Sequence, residues 1–231
     1  MSRARQAAEG HSRSPWIAGT YDCARWAEVS RRLDESEQFP GAEPGPDWDD
    51  AIAVIRERIE SRFLKPAGAL LPMAYAGFAV LALDSLAIES VARLRQGLRN
   101  VDRQSRNLVT EFLRDRPTFS KYFSAKGHDG GSKCVCGPCD FYRNVRSGIV
   151  HEGETQNGWL VRYGERELVT TTPDGVRVVD RNLFHRGVEA EFRIYLDDLR
   201  HRDNSELRSH LKRALDGICG IGAGTTPVEG D

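Results

Sequence analysis

The residues most able to do chemistry lie close together in the second half of the chain. Arg146 and His151 are separated by four residues, and Arg143, Asn144 and Ser147 stand beside them. An arginine has a planar, permanently charged guanidinium group whose N–H donors match phosphate oxygens. A histidine can transfer protons near neutral pH. Because a long arginine stem can bring its guanidinium beside the imidazole, the pair predicts a site that grips a phosphate.

These residues need an element to position them, and the sequence predicts a helix. Pro138 favours a first helical turn and Gly153 favours a helix end, so the pattern predicts one short helix from about 138 to 152. On that helix, steps of three and four residues place most of the polar side chains near one stripe. The apolar side chains expected to face a core are Phe141, Val145, Ile149 and Val150.

The segment from Tyr142 to Glu154 resembles the signature of the HEPN superfamily, the higher eukaryotes and prokaryotes nucleotide-binding domains. That signature is an arginine and a histidine four to six residues apart on an all-helical bundle, and Arg146 and His151 fit it. The resemblance implies a metal-independent endoribonuclease without a cofactor, commonly a toxin or defence effector. It also implies RNA as the substrate, an active site where two motif helices meet in a homodimer, and an antitoxin or regulatory partner.

The resemblance gives each candidate residue a role. His151 would transfer protons, and Arg146 would stabilise the crowded phosphorane that forms when the 2′-hydroxyl attacks its own phosphodiester, which leaves a cyclic phosphate. Asn144, Ser147 and Arg143 would bind or orient the substrate. Asn, Asp or His often follows the arginine in this family, whereas Ser147 follows it here.

Other interpretations of the same residues stay open. The chain is alternatively a HEPN-like module that binds nucleotide or RNA, or only dimerises, without cleaving. A third hypothesis is a small adaptor stabilised by metal. In a purely structural role, the His151 ring would sit at the C-terminus of the helix, and Arg146 would pair with Glu152 or Glu154.

A second group of candidate residues precedes the predicted helix. Cys134, Cys136 and Cys139 lie within six residues, and His128 comes shortly before them. These side chains could supply four ligands to a structural zinc ion, but such sites usually use two separate pairs of ligands and no second cysteine pair occurs here. The favoured interpretation is therefore a thiol-rich turn without metal. A zinc ion, if bound, would anchor the start of the motif helix.

Composition limits the remaining possibilities. The 231 residues carry a formal net charge of -1, so any RNA contact must come from a local basic patch. Residues 67–83 are uncharged, but they are short for a bilayer span and contain Gly and Pro, so we expect a buried helix and no membrane partner. No secretory signal is visible, and the tight cysteine cluster is unlike a spread disulfide framework, which predicts a reducing cytoplasm.

The overall pattern predicts a mainly α fold, a HEPN-like up-and-down helical bundle with a small antiparallel β-hairpin or meander after the motif helix. Residues 1–46 are expected to be a disordered or loosely packed extension with a possible short helix. Residues 47–219 form the helical domain, and residues 220–231 a flexible tail. Short β-prone runs around a Pro-Asp-Gly turn place the β insert at about 158–180.

Helical spacing of apolar residues predicts four further helices in the bundle. An amphipathic helix capped by Asp47 is expected to end before Pro66. A longer, more apolar helix is expected to begin at Pro72 and to lie at the centre of the bundle. Two closing helices are expected to be separated near Asp203 and Asn204.

Overall fold

The computed structural model describes residues 16–36, 44–98, 104–123, 126–128, 131 and 134–222. The fold is mainly helical, with one small sheet, as the sequence predicts. Within these ranges, no helix is long and apolar enough to cross a bilayer. The elements are α1 (Cys23–Ser36), α2 (Pro46–Ile59), a π-helical turn (Glu60–Leu64), α3 (Lys65–Leu70), α4 (Gly77–Gln96), α5 (Ser105–Asp115), α6 (Pro117–Ser120), α7 (Gly137–Phe141), a second π-helical turn (Tyr142–Ser147), α8 (Gly148–Glu152), β1 (Trp159–Arg162), β2 (Val169–Thr171), β3 (Arg177–Asp180), α9 (Arg181–Asp198) and α10 (Ser205–Ile218).

Helix α4 lies at the centre of the bundle, which confirms the prediction from its apolar sequence. It packs against α3, α5, α9 and α10. The helix begins at Gly77 rather than at Pro72, and the Arg181 side chain holds the carbonyls of Leu71 and Met73 in the segment before it. Both accept hydrogen bonds from the Arg181 guanidinium, at 3.0 and 2.9 Å.

The predicted end of the preceding helix before Pro66 is wrong. Helix α2 begins at Pro46, one residue before the predicted cap Asp47, and continues through the π-helical turn into α3. A proline inside a helix removes one backbone donor and crowds the carbonyl four residues earlier. The π-helical turn immediately before Pro66 widens the backbone there, so the helical path continues to Leu70.

The prediction of a loosely packed N-terminal extension is wrong for residues 16–36. Helix α1 packs on α2 and α10, and Trp26 is fully buried. The Trp26 indole donates to Asp216 of α10 at 2.9 Å, and a disulfide joins Cys23 to Cys219. The apolar stripe of α1 therefore belongs to the main core. The rest of the predicted extension before residue 44 lies outside the described residues, as does most of the predicted tail.

The small sheet after the motif helix is mixed rather than an antiparallel meander. Strand β3 is central and pairs in parallel with β1 and antiparallel with β2. The three strands fall where the sequence predicts them, but β1 lies on the other side of β3 from β2. The reason is tertiary, because Trp159 of β1 is buried and donates its indole N–H to Asp140 of the motif helix at 2.6 Å.

The two closing helices are confirmed. The Asp180 side chain caps α9 by accepting from the backbone N–H groups of Asn182 and Leu183. Helix α10 starts after Asn204 and ends before Gly220, which takes a left-handed conformation. These helices complete the core around α4 and leave the motif helix against one side of it.

The Cys23–Cys219 link predicts a redox-dependent stability. Cys23→Ser removes a cross-link between positions 196 residues apart. This cross-link restricts the unfolded chain. Without it, we expect the free energy of unfolding to fall by about 2–4 kcal/mol under non-reducing conditions. Urea unfolding of both proteins, with and without a reducing agent, measures this. The difference should vanish in the reducing agent. Equal wild-type stability in both conditions would contradict the cross-link.

Candidate phosphate site on the motif helix

The motif helix, defined here as Gly137–Glu152, is one continuous helical segment. Pro138 lies in its first turn and Gly153 ends it in a left-handed conformation, so both predicted boundaries are confirmed. Its middle, Tyr142–Ser147, is π-helical, which the sequence did not predict. Single π-helical turns inside helices often occur at functional sites. The turn at Glu60–Leu64 contains no candidate residue, however, so this feature alone does not define a site.

A buried carboxylate holds the motif helix against the sheet. Asp140 accepts from the Asn144 side chain at 2.9 Å and from the Trp159 indole at 2.6 Å, and it forms an ion pair with Arg177 at 2.9 Å. A buried charge costs free energy unless it is paired and hydrogen-bonded, and all these interactions meet that need. The start of the motif helix is therefore fixed relative to β1 and β3.

The chain that follows the helix folds back along it. The backbone N–H of Gln156 donates to the carbonyl of Asn144 at 2.8 Å, and the Asn157 side chain donates to the Asn144 side chain at 2.8 Å. Gly148 permits this approach, because a Cβ at that position would lie 2.5 Å from the carbonyl oxygen of Glu154. Asn144 is buried and its amide is used inside the protein. Asn144 thus has a structural role, and its role in binding substrate stays a prediction.

Arg146 is held in a fixed position by residues from three elements. Its guanidinium lies 3.0 Å from Glu89 of α4 and 5.4 Å from the centre of the Tyr142 ring. Ser105 of α5 donates to the same Glu89 carboxylate at 2.7 Å. The Arg146 side chain is 10% exposed. The ion-pair partner is thus Glu89, rather than the Glu152 or Glu154 considered from the sequence.

His151 lies in the last turn of the motif helix and is exposed. Within the described ranges, no hydrogen bond or ion pair joins His151 to Arg146 or to another side chain. Ser147 lies between them and is half-buried. Val150 was expected to face the core but is 43% exposed. The last turn of the motif helix therefore presents an imidazole and an apolar side chain to solvent.

The cysteine segment lies at the start of the motif helix. The Nδ1 atom of His128 is 3.2 Å from the sulfur of Cys136, 3.5 Å from that of Cys134 and 3.7 Å from that of Cys139. The structure therefore brings together all four residues named from the sequence. Arg143 donates to the carbonyl of Cys134 at 2.8 Å, so its guanidinium supports this segment instead of standing free for substrate.

The contribution of Glu89 to this site is not visible in the sequence. Asp84 and Glu89 are five residues apart on α4, and spacing alone favours an ion pair of Glu89 with Arg93 one turn on. In the structure, Asp84 lies 2.8 Å from Nδ1 of His185, and both side chains are buried in the core. Burial lowers the pKa of His185, but hydrogen bonding and attraction to Asp84 outweigh this effect and raise it above its ordinary value. This pair is closed to solvent and joins α4 to α9 inside the core.

Comparison with protein-family models, curated proteins and solved structures finds no match for the chain. The resemblance to the HEPN superfamily therefore rests on the segment from Tyr142 to Glu154. The geometry of Arg146 and His151 must carry any functional argument.

The structural role of Asn144 predicts a difference between two neighbouring polar residues. Asn144→Ala removes the hydrogen bonds of the Asp140 Oδ1 atom and of the Asn157 side-chain amide to Asn144, and should lower the free energy of unfolding by about 1–3 kcal/mol. Ser147→Ala, at a half-buried position, should change it by less than about 0.5 kcal/mol. Urea unfolding measures both values. An equal effect of the two substitutions would show that the assigned role of Asn144 is wrong.

Proposed function

We propose that the protein is a HEPN-type, metal-independent endoribonuclease that acts as a homodimer through Arg146 and His151. The observation that carries this proposal is the contrast between the two residues on one continuous helix. Arg146 is fixed by Glu89 and Tyr142, while His151 is exposed at the helix end. A fixed cation suits the stabilisation of developing charge, and an accessible imidazole suits proton transfer.

The guanidinium of Arg146 keeps hydrogen-bond donors for a phosphate. Glu89 accepts from one of its terminal nitrogens. An arginine presents five N–H donors, so one carboxylate contact leaves others free for phosphate oxygens. In the proposal, Glu89 sets the orientation of Arg146, and the RNA phosphate accepts hydrogen bonds from the remaining guanidinium donors.

RNA cleavage by this route needs both a base and an acid. The base removes the proton of the 2′-hydroxyl, and the acid protonates the leaving 5′-oxygen, so the product carries a 2′,3′-cyclic phosphate. A single imidazole cannot hold both positions in one step. A second copy of the chain would bring a second His151 and a second Arg146 to the site.

The surface around the motif helix suits a second copy. Helix α8, which contains Val150, contacts α4, and Glu89 of α4 pairs with Arg146. Val150 is 43% exposed, and Leu86 of α4 is 38% exposed. Contact between such apolar side chains across a two-fold axis would bury them and bring the two motif helices together.

The proposal extends to the setting of the protein. A ribonuclease of this kind would act on RNA in the cytoplasm as a toxin or defence effector, and an antitoxin or regulatory protein would hold it inactive. These parts rest on the resemblance of the motif segment.

A second candidate function is favoured by one specific observation. The Arg146 charge is already balanced by Glu89 inside the same chain. A guanidinium neutralised in this way attracts a phosphate less strongly than a free one. The alternative is therefore a HEPN-like module that binds nucleotide or RNA, or only dimerises, without cleaving.

Cleavage of a mixed RNA pool in EDTA tests the proposal. We expect the purified full chain to leave cyclic phosphate ends, and we expect Arg146→Ala and His151→Ala each to lower the initial rate by about 10²–10⁴-fold, because each removes a group used in the chemical step. End-group analysis of the products identifies the reaction.

His201→Ala is the matched control, because His201 is also exposed but lies in the turn between α9 and α10. It should leave the rate unchanged. Cleavage that survives both motif substitutions would exclude the proposed site. A dimeric wild type that binds RNA without cleaving it would support the second candidate instead.

The dimer surface gives a separate prediction. Val150→Asp places a charge in the proposed apolar contact and should convert the dimer into a monomer. Ile194→Asp is the control, because Ile194 is 41% exposed on α9, a different element. Light scattering coupled to size-exclusion chromatography measures the mass of each. A monomeric wild type, or dimers of both variants, would contradict the assigned surface.

A further inference from the structure

Four potential metal ligands converge at the start of the motif helix. The Nδ1 atom of His128 and the sulfur atoms of Cys134, Cys136 and Cys139 all lie within 4.8 Å of one another. Cys136 immediately precedes the helix, and Cys139 follows three residues later on the same side. Cys134 reaches the same point from the preceding turn.

Hydrogen bonding alone does not explain this arrangement. The three sulfur atoms lie 3.2, 3.5 and 3.7 Å from the single Nδ1 atom of His128. A neutral imidazole nitrogen either donates one proton or accepts through one lone pair, so it serves one such contact well. Three sulfur atoms at 3.2 to 3.7 Å from one nitrogen, all within 4.8 Å of one another, fit four atoms arranged around a common centre.

A tetrahedral zinc ion accounts for the distances. With a Zn–S bond of about 2.3 Å and a Zn–N bond of about 2.0–2.1 Å, the nitrogen and each sulfur would lie about 3.6 Å apart. The observed values of 3.2, 3.5 and 3.7 Å are close to this separation. We propose that His128, Cys134, Cys136 and Cys139 bind one structural zinc ion.

The packing of the cysteines supports a site rather than a piece of the core. The three buried cysteines form a cluster of their own, separate from the main hydrophobic core. His128 is exposed, and yet its Nδ1 atom faces this cluster. An exposed histidine gains little free energy by turning one ring nitrogen towards buried thiols. Zinc explains this orientation, because thiolates and imidazoles are its preferred ligands.

The surroundings also suit the charge of such a site. Three thiolates and one neutral imidazole around Zn²⁺ carry a net charge of about −1. Two guanidinium groups hold the backbone of the same segment, Arg143 at the carbonyl of Cys134 (2.8 Å) and Arg106 at the carbonyl of Gly131 (2.6 Å). Both cations lie within reach to offset that charge.

The zinc ion would cross-link the first turn of the motif helix to the segment that contains His128. All four ligands are protein side chains, which is typical of a structural site, because a catalytic zinc keeps one position open. The ion therefore stabilises the start of the helix and takes no part in phosphate chemistry. The inference stands whether or not Arg146 and His151 cleave RNA.

Metal content of the full chain tests the inference. Protein purified under reducing conditions without an affinity tag should hold about one zinc per chain by mass spectrometry of the element. His128→Ala and Cys136→Ser should lose it on dialysis against EDTA under conditions in which the wild type retains it. Cys23→Ser is the matched control and should retain zinc, because Cys23 lies outside the cluster and pairs with Cys219.

Cobalt gives a second readout. Co²⁺ bound to the wild type should show the visible absorption of a tetrahedral thiolate site, and His128→Ala should change that spectrum. His128 is exposed, so this variant still tests the inference where Cys136→Ser fails to fold. Reduced wild type that takes up neither Zn²⁺ nor Co²⁺ would overturn the inference, as would bound iron in place of zinc, or equal zinc content in all the variants.

Discussion

The buried carboxylate of Asp140 is the interaction on which the candidate site depends. It lies in the first turn of the motif helix and binds a side chain from the helix itself, Asn144, and two from the sheet, Trp159 and Arg177. Loss of any one of these partners would leave part of a buried charge uncompensated, which is costly in the interior. The helix, the loop after it and the mixed sheet are therefore held together as one unit.

The motif helix presents three chemical environments along its length. The cysteines lie at its start and just before it, are buried and face His128. Its middle holds Arg146, which is nearly buried and fixed by Glu89 from α4. Its end holds His151, which is exposed. Burial of these candidate side chains thus decreases from the start of the helix to its end. The start suits metal ligation, the middle suits the orientation of a cation, and the end suits contact with a substrate or a second protomer.

Local signals explain the parts of this structure that the sequence predicts well. Pro138 and Gly153 mark the ends of the motif helix because their backbone preferences act where they stand. Continuous apolar residues place α4 at the centre, and the β-prone runs locate all three strands. The helix end predicted at Pro66 is wrong, because a π-helical turn before it lets the helix continue. The order of the strands was also missed, because β1 is placed by the Trp159 contact with Asp140.

The sequence by itself determined which residues are candidates, namely an arginine and a histidine on one helix and four possible zinc ligands close in the chain. Only the tertiary structure decided what each one contacts. Arg146 pairs with Glu89, 57 residues away, and Cys23 joins Cys219, 196 residues away. Spacing along the chain defines neighbours on the same helix or turn, whereas these partners are set by how α4, α1 and α10 pack. The tertiary structure also gave Asn144 its internal partners, because the following loop folds back onto it.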